Sequence, residues 1–71
     1  MQKRVYSINV PGPCGYSFAV KGNFSDESQV IDLASEEELF DDPHDARYAT
    51  VEDITGSQND IDAFKSCTYE C

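Results

Sequence analysis

The sequence has few residues of the types that most often carry chemistry. It contains three cysteines, one histidine, one methionine and no tryptophan among 71 residues. Glycine-rich phosphate loops, nucleophile elbows and zinc-protease motifs are absent from it. No apolar run approaches the roughly 20 residues that cross a bilayer, and the basic start lacks the apolar stretch of a secretory signal. We therefore expect a cytoplasmic, non-enzymatic protein without a cofactor.

The cysteines are too few for the disulfide framework of a small secreted domain. Three are present, Cys14, Cys67 and Cys71, and such domains usually carry four or more. A zinc site would need His44 as a fourth ligand, and the single Cys-x3-Cys pair departs from zinc-finger spacing. Free thiols are the expectation, with a disulfide or a thiol and metal module left open as alternatives.

Positive charge is also scarce, with five Lys and Arg residues against 14 Asp and Glu and a formal net charge of −9. Nine of the carboxylates lie between residues 26 and 45 without one Lys or Arg: Asp26, Glu27, Asp32, Glu36, Glu37, Glu38, Asp41, Asp42 and Asp45. So one-sided a field repels nucleic acid and acidic membranes and attracts basic surfaces. We expect a basic protein partner and no direct binding to nucleic acid or membrane. The alternative is that the acidity only maintains solubility.

Alternating apolar residues predict a hairpin at the start of the chain. Residues 4–10 and 16–20 each alternate, and the Pro- and Gly-rich residues 11–15 join them. A third strand is predicted over residues 48–54, where Thr50, Val51 and Ile54 are β-branched.

Helical patterns follow the hairpin and the third strand. The first helix is predicted over residues 26–35 with Ser25 as its N-cap, and a short last helix is predicted with Asn59 or Asp60 as its N-cap. Residues 36–40 leave two alternatives, because Ser35 and Glu38 fit a capping box that would start another helical turn. Otherwise Leu39 and Phe40 fold back onto the core from a loop.

The order β-β-α-β-α predicts one α+β domain over residues 1–71. We expect a small three-stranded, mainly antiparallel sheet with helices on one face. Such a short chain buries a single modest core. The predicted core residues are Tyr6, Ile8, Val10, Phe18, Val20, Val30, Ile31, Leu33, Ala34, Val51, Ile54, Ile61 and Phe64.

The length, the hairpin followed by an acidic helix, and two acidic segments carry a family resemblance. The segments are residues 35–42, Ser-Glu-Glu-Glu-Leu-Phe-Asp-Asp, and residues 51–54, Val-Glu-Asp-Ile. In these features the chain resembles small acidic α+β proteins of phages and other mobile elements, among them anti-CRISPR inhibitors that mimic DNA. The resemblance implies a non-enzymatic protein that binds a host nucleic-acid machine and blocks its substrate groove.

The acidic run supplies the candidate partner-binding residues, which are Glu36, Glu37, Glu38, Asp41, Asp42 and Asp45. Carboxylates spaced along a helix and the following turn resemble the charges of a nucleic-acid backbone. We expect them to occupy a basic nucleic-acid-binding groove of a protein complex. The alternative function is that of a structural or regulatory accessory protein that acts through its β-hairpin edge and the loop at residues 11–15.

Overall fold

A four-stranded mixed sheet forms the centre of the computed structural model, which describes residues 3–13 and 15–70. The strands are β1 (Arg4–Val10), β2 (Tyr16–Gly22), β3 (Thr50–Asp53) and β4 (Thr68–Glu70). Their order across the sheet is β3-β1-β2-β4. β1 is antiparallel to both of its neighbours, whereas β4 runs parallel to β2. The α+β class is confirmed, but the expectation of three strands is wrong.

Two α-helices and two short 3₁₀ turns complete the fold. The helices are α1 (Glu27–Glu36) and α2 (Gln58–Ala63), and the turns span Pro43–Arg47 and Lys65–Cys67. The predicted order β-β-α-β-α therefore lacks the final strand. At three residues, β4 is too short for alternation to reveal it, and it follows directly on the second 3₁₀ turn.

Both faces of the sheet are covered. On one face Ile8 and Val20 pack in a cluster with Val30 of α1. On the opposite face Val5 and Ala19 pack with Ile54, and Ile61 of α2 and Phe64 lie against them. Successive side chains of a strand point to alternate faces of the sheet. Val5 and Ile8 are three positions apart in β1, so they point to opposite faces. The prediction of helices on one face is thus wrong.

All thirteen predicted core residues belong to one of these two clusters. Seven are buried (Tyr6, Ile8, Val10, Val20, Val30, Ala34 and Ile54), and the other six are partly buried. The prediction missed three buried residues, Val5, Ala19 and Phe40. Val5 and Ala19 lie on the face that was expected to be open to solvent.

The N-cap of α1 is Asp26, one residue after the predicted Ser25. Its carboxylate accepts the backbone N–H of Gln29 at 3.1 Å and the hydroxyl of Ser28 at 2.6 Å. The Gln29 side-chain oxygen in turn accepts the backbone N–H of Ser25 at 2.7 Å. These bonds satisfy free donors at the start of the helix. The Ser28 hydroxyl and then the Gln29 amide lower the pKa of Asp26 below its usual value.

The other element boundaries are shorter or displaced. Tyr48 donates its backbone N–H to the Asp45 carbonyl at 3.0 Å, which closes the first 3₁₀ turn, so β3 begins at Thr50 rather than at residue 48. α2 begins at Gln58 after Ser57, before the predicted Asn59 or Asp60.

Candidate functional site

The whole net charge of the protein resides in residues 26–45, which we call the acidic segment. It carries nine carboxylates and no base, whereas the other 51 residues carry five acids and five bases. The segment comprises α1, the turn after it and most of the first 3₁₀ turn. Since α1 packs on the Ile8 face of the sheet, these charges belong to the layer that covers that face.

Two of the chain's five Lys and Arg residues form ion pairs in the described structure, and both pairs lie outside the acidic segment. In the part of the chain that the structure describes, Arg4 pairs with Asp53 at 2.9 Å and Lys3 with Glu70 at 3.8 Å, and neither pair includes the acidic segment. Two hydrogen bonds from Thr55 and, to a smaller extent, the Arg4 guanidinium lower the pKa of Asp53. Among described residues, therefore, no ion pair neutralises the acidic segment.

A turn with left-handed backbone ends α1 and shapes the first half of the candidate site. Leu39 donates its N–H to the Ala34 carbonyl at 2.8 Å, and Glu38 donates to the Ser35 carbonyl at 3.2 Å. These two bonds define a Schellman motif, in which Glu38 takes the position that usually holds glycine, with φ of 56°. The chain then folds Phe40 back into the core. The loop alternative for residues 36–40 is correct, and the further helical turn is wrong.

The loop at residues 41–45, which carries the other candidate carboxylates, is hydrogen-bonded to Tyr16 of β2. Its hydroxyl accepts the Asp41 backbone N–H at 2.8 Å and donates to the Asp45 carboxylate at 2.7 Å. Burial, and next the bond to Asp45, raise the pKa of Tyr16 above its ordinary value. The Asp42 carboxylate caps the following 3₁₀ turn by accepting the His44 N–H at 2.9 Å.

The six candidate carboxylates consequently divide into two groups. Asp42 and Asp45 each have a structural hydrogen bond, and Asp45 is half-buried. The other four are exposed, and their side chains have no hydrogen bond or ion pair among the described residues: Glu36, Glu37, Glu38 and Asp41. The structure brings Glu38 and Asp41 together on the wall of a pocket of about 360 Å³ that Phe40 and Pro43 also line.

Sequence reasoning missed the role of Tyr16 in this site. Alternation assigned it to the sheet's apolar face, where its ring indeed stacks with Phe18 at a centroid distance of 6.2 Å. A tyrosine at the first position of a strand can bury its ring and still direct its hydroxyl to a neighbouring loop. The only sequence signal for this role was the position of Tyr16 at the start of a strand, next to a loop. That position does not show which loop of the fold its hydroxyl contacts.

The described residues give little support to the alternative of a thiol or metal-binding module. Cys67 is a free thiol, exposed in the second 3₁₀ turn. No three His, Cys, Asp or Glu side chains of residues 3–13 and 15–70 are grouped so that they could hold a metal ion. Cys14 and Cys71 lie outside the described residues. In the same part of the chain, neither helix has the length and apolar character needed to span a membrane.

The alternative function, in which a partner strand pairs with the edge of the β-hairpin, has only a short unpaired backbone edge to use. β1 is paired on both sides, and β2 pairs with β4 at Ala19–Lys21. The part of β2 outside its pairing with β4 is residues 16–18 at its start and Gly22 at its end. The described loop residues, 11–13 and 15, are exposed.

Comparison of the chain with protein-family models, curated proteins and solved structures finds no match.

Proposed function

We propose that this protein is a non-enzymatic inhibitor that occupies a basic nucleic-acid-binding groove of a host protein complex, in the manner of a DNA mimic. The proposed contact residues are the six candidate carboxylates. Four of them, Glu36, Glu37, Glu38 and Asp41, are free for the partner, and Asp42 and Asp45 hold the loop in shape. The partner is a protein or complex with a groove lined by Lys and Arg.

The observation that carries the proposal is the confinement of the entire net charge to one exposed segment that the chain itself does not neutralise. A groove that binds nucleic acid presents a cation for each phosphate contact. A dense set of fixed carboxylates competes for those same cations, and its field accelerates the encounter.

The ordered backbone of the acidic segment also supports the proposal. The Schellman turn fixes residues 37–39, and the Tyr16 hydroxyl fixes the loop at both Asp41 and Asp45. Carboxylates on an ordered backbone lose less conformational entropy on binding than those on a disordered acidic tail. The affinity should fall steeply as salt rises, because the contacts are exposed charges.

A triple charge reversal tests the proposal. Glu36, Glu37 and Asp41 are the best positions, since their side chains are exposed and have no hydrogen bond within the described residues. Lysine at the end of α1 also suits the helix dipole, so the fold should be retained. The immobilised protein should capture a partner from nuclease-treated host lysate, and added duplex DNA or RNA should release that partner. The triple variant should capture none of it.

The matched control reverses Glu52, Asp60 and Asp62 to lysine, which changes the net charge equally outside the acidic segment. We expect this control to keep most of the capture. Equal capture by the triple variant and the parent would refute the acidic segment as the contact. Capture that resists both high salt and nucleic acid would instead favour the hairpin edge, since strand pairing depends weakly on salt.

A further inference from the structure

An open groove of about 330 Å³ lies beside the acidic segment. The start of β2 forms one wall, and the second 3₁₀ turn with the start of β4 forms the other. Its principal lining residues are Tyr16, Phe18, Leu39, Asp41, Cys67 and Tyr69. Much of the lining is thus aromatic or aliphatic, and Asp41 is its one acidic residue.

The aromatic rings of the groove are held in fixed positions. Tyr16 and Phe18 stack at 6.2 Å with an interplanar angle of 17°, and Phe18 meets the ring of Phe40 edge-on at 5.6 Å. Phe40 is buried, so this row of rings connects the groove with the core below the acidic segment. The Tyr16 hydroxyl is bonded to the Asp41 amide, which fixes the backbone that carries the Asp41 carboxylate.

The combination of ordered aromatic rings and an adjacent carboxylate matches one cationic side chain in particular. A guanidinium is planar, stacks on aromatic faces, presents a fork of donors to a carboxylate and is more weakly hydrated than an ammonium group. Its aliphatic stem can also lie along apolar surface. A lysine ammonium is also attracted by Asp41 and by aromatic faces, but it is more strongly hydrated and cannot stack on the rings.

We propose that this groove accepts an arginine side chain of the basic partner, with its stem along Leu39 and its guanidinium between the Tyr16–Phe18 rings and Asp41. The inference rests on the proposed function, which requires a basic partner, and adds that the partner contributes an arginine at this position. The arginine contact would also give orientation to the binding, because the surrounding carboxylates attract any cation without regard to its shape.

Two end-blocked heptapeptides of equal charge test the inference, Gly-Arg-Ser-Arg-Ser-Arg-Gly and Gly-Lys-Ser-Lys-Ser-Lys-Gly. Each is titrated into the isotope-labelled protein at low salt, and binding is followed by NMR shifts. The arginine peptide should bind about fivefold tighter or better, and it should shift the Phe18 and Tyr69 signals in addition to those of the acidic segment. Equal affinities with shifts in the acidic segment alone would overturn the arginine site and leave the proposed function standing.

Two variants show whether the groove is the cause of such a preference. Ser66→Leu adds an aliphatic group at an exposed groove position, and Asn59→Leu adds the same group on α2 away from it. The first should abolish the preference for arginine without weakening the lysine peptide, and the second should preserve the preference. A preference that survives in Ser66→Leu would overturn the inference.

A pair of neutralised carboxylates separates the directional contact from the general field. Asp41→Asn should weaken the arginine peptide more than the lysine peptide, whereas Glu36→Gln, with the same charge change, should weaken both equally. An equal loss for both peptides in Asp41→Asn would refute the contact at Asp41. Failure of both peptides to bind the parent protein at low salt would refute the inference and the proposed function together.

Discussion

The two faces of the sheet differ in both burial and charge. The face under α1 holds the larger cluster, with seven buried residues, and the acidic segment that covers it carries nine carboxylates without a base. The opposite face holds three buried residues under Ile61 and Phe64. The charges outside the acidic segment are equal in number of each sign. The self-repelling layer is therefore attached where apolar burial is greatest, so the core can offset the cost of concentrating like charge.

Truncation of one buried residue on each face tests this difference and has the largest expected effect. Ile8→Ala should lower the free energy of unfolding by about 3–4 kcal/mol, because Ile8 is fully buried in the larger cluster. Ile54→Ala should cost about 2 kcal/mol, since fewer groups surround it. Urea denaturation measures both. A larger loss in Ile54→Ala would reverse the assignment of the dominant core.

Removal of the Tyr16 hydroxyl tests how firmly the acidic loop is attached to the sheet. Tyr16→Phe keeps the ring packing but deletes the bonds to Asp41 and Asp45, and it should cost about 1–2 kcal/mol. Amides of residues 41–45 should also lose protection from hydrogen exchange. An unchanged unfolding midpoint and unchanged protection would mean that the loop is held by other contacts.

Alkaline pH offers a second measurement on the same residue. The folded-state pKa of Tyr16 is raised above its ordinary value of 10.0, so its stabilising contribution is fully present below about pH 10. It is lost as the pH rises through the higher folded-state pKa. Stability should thus fall more steeply above pH 10 in the parent than in Tyr16→Phe. Parallel pH profiles would contradict the assignment.

Glycine at position 38 should stabilise the protein, because Glu38 occupies left-handed backbone that suits glycine. We expect Glu38→Gly to gain about 1 kcal/mol by thermal or urea unfolding. Glu38→Gln is the control, since it removes the same charge and keeps the strained backbone. If both variants gain equally, relief of charge repulsion rather than of backbone strain is the reason.

Single charge reversals give the smallest effect and compare the acidic segment directly with the neutral remainder. Glu37→Lys should gain about 0.5 kcal/mol at low salt, because it lies at the end of α1 among like charges. Glu52→Lys, an equal charge change on β3, should gain nothing. The difference should shrink in 0.5 M salt. An equal gain at both sites would indicate that stability depends on the net charge of the whole protein and not on the local charge density of the acidic segment.

Patterns of period two and 3.6 were sufficient to predict the hairpin and α1. The one-residue error at the N-cap of α1 arose because Ser25 and Asp26 are both good caps, and only the Gln29 bond distinguishes them. Val5 and Ala19 were the overlooked signals of a second covered face, since apolar residues at solvent-facing positions of two paired strands indicate burial on both sides.

Other features carried little or no local signal. β4 is three residues long, and its pairing with β2 depends on contacts 49 positions apart, between Ala19 and Thr68. Glu38 gave no sign of left-handed backbone, because glycine usually marks such a position. For the candidate site, sequence composition identified the charges, but only tertiary structure separates Asp42 and Asp45, which support the loop, from the four free carboxylates.

The parallel pairing of β4 with β2 has a consequence for the time course of folding. The hairpin closes through near neighbours in sequence and can form early, whereas the fourth strand must pair with residues 49 positions earlier in the chain. During synthesis on the ribosome, the edge of β2 at Ala19–Lys21 would stay unpaired until residues 68–70 emerge from the exit tunnel.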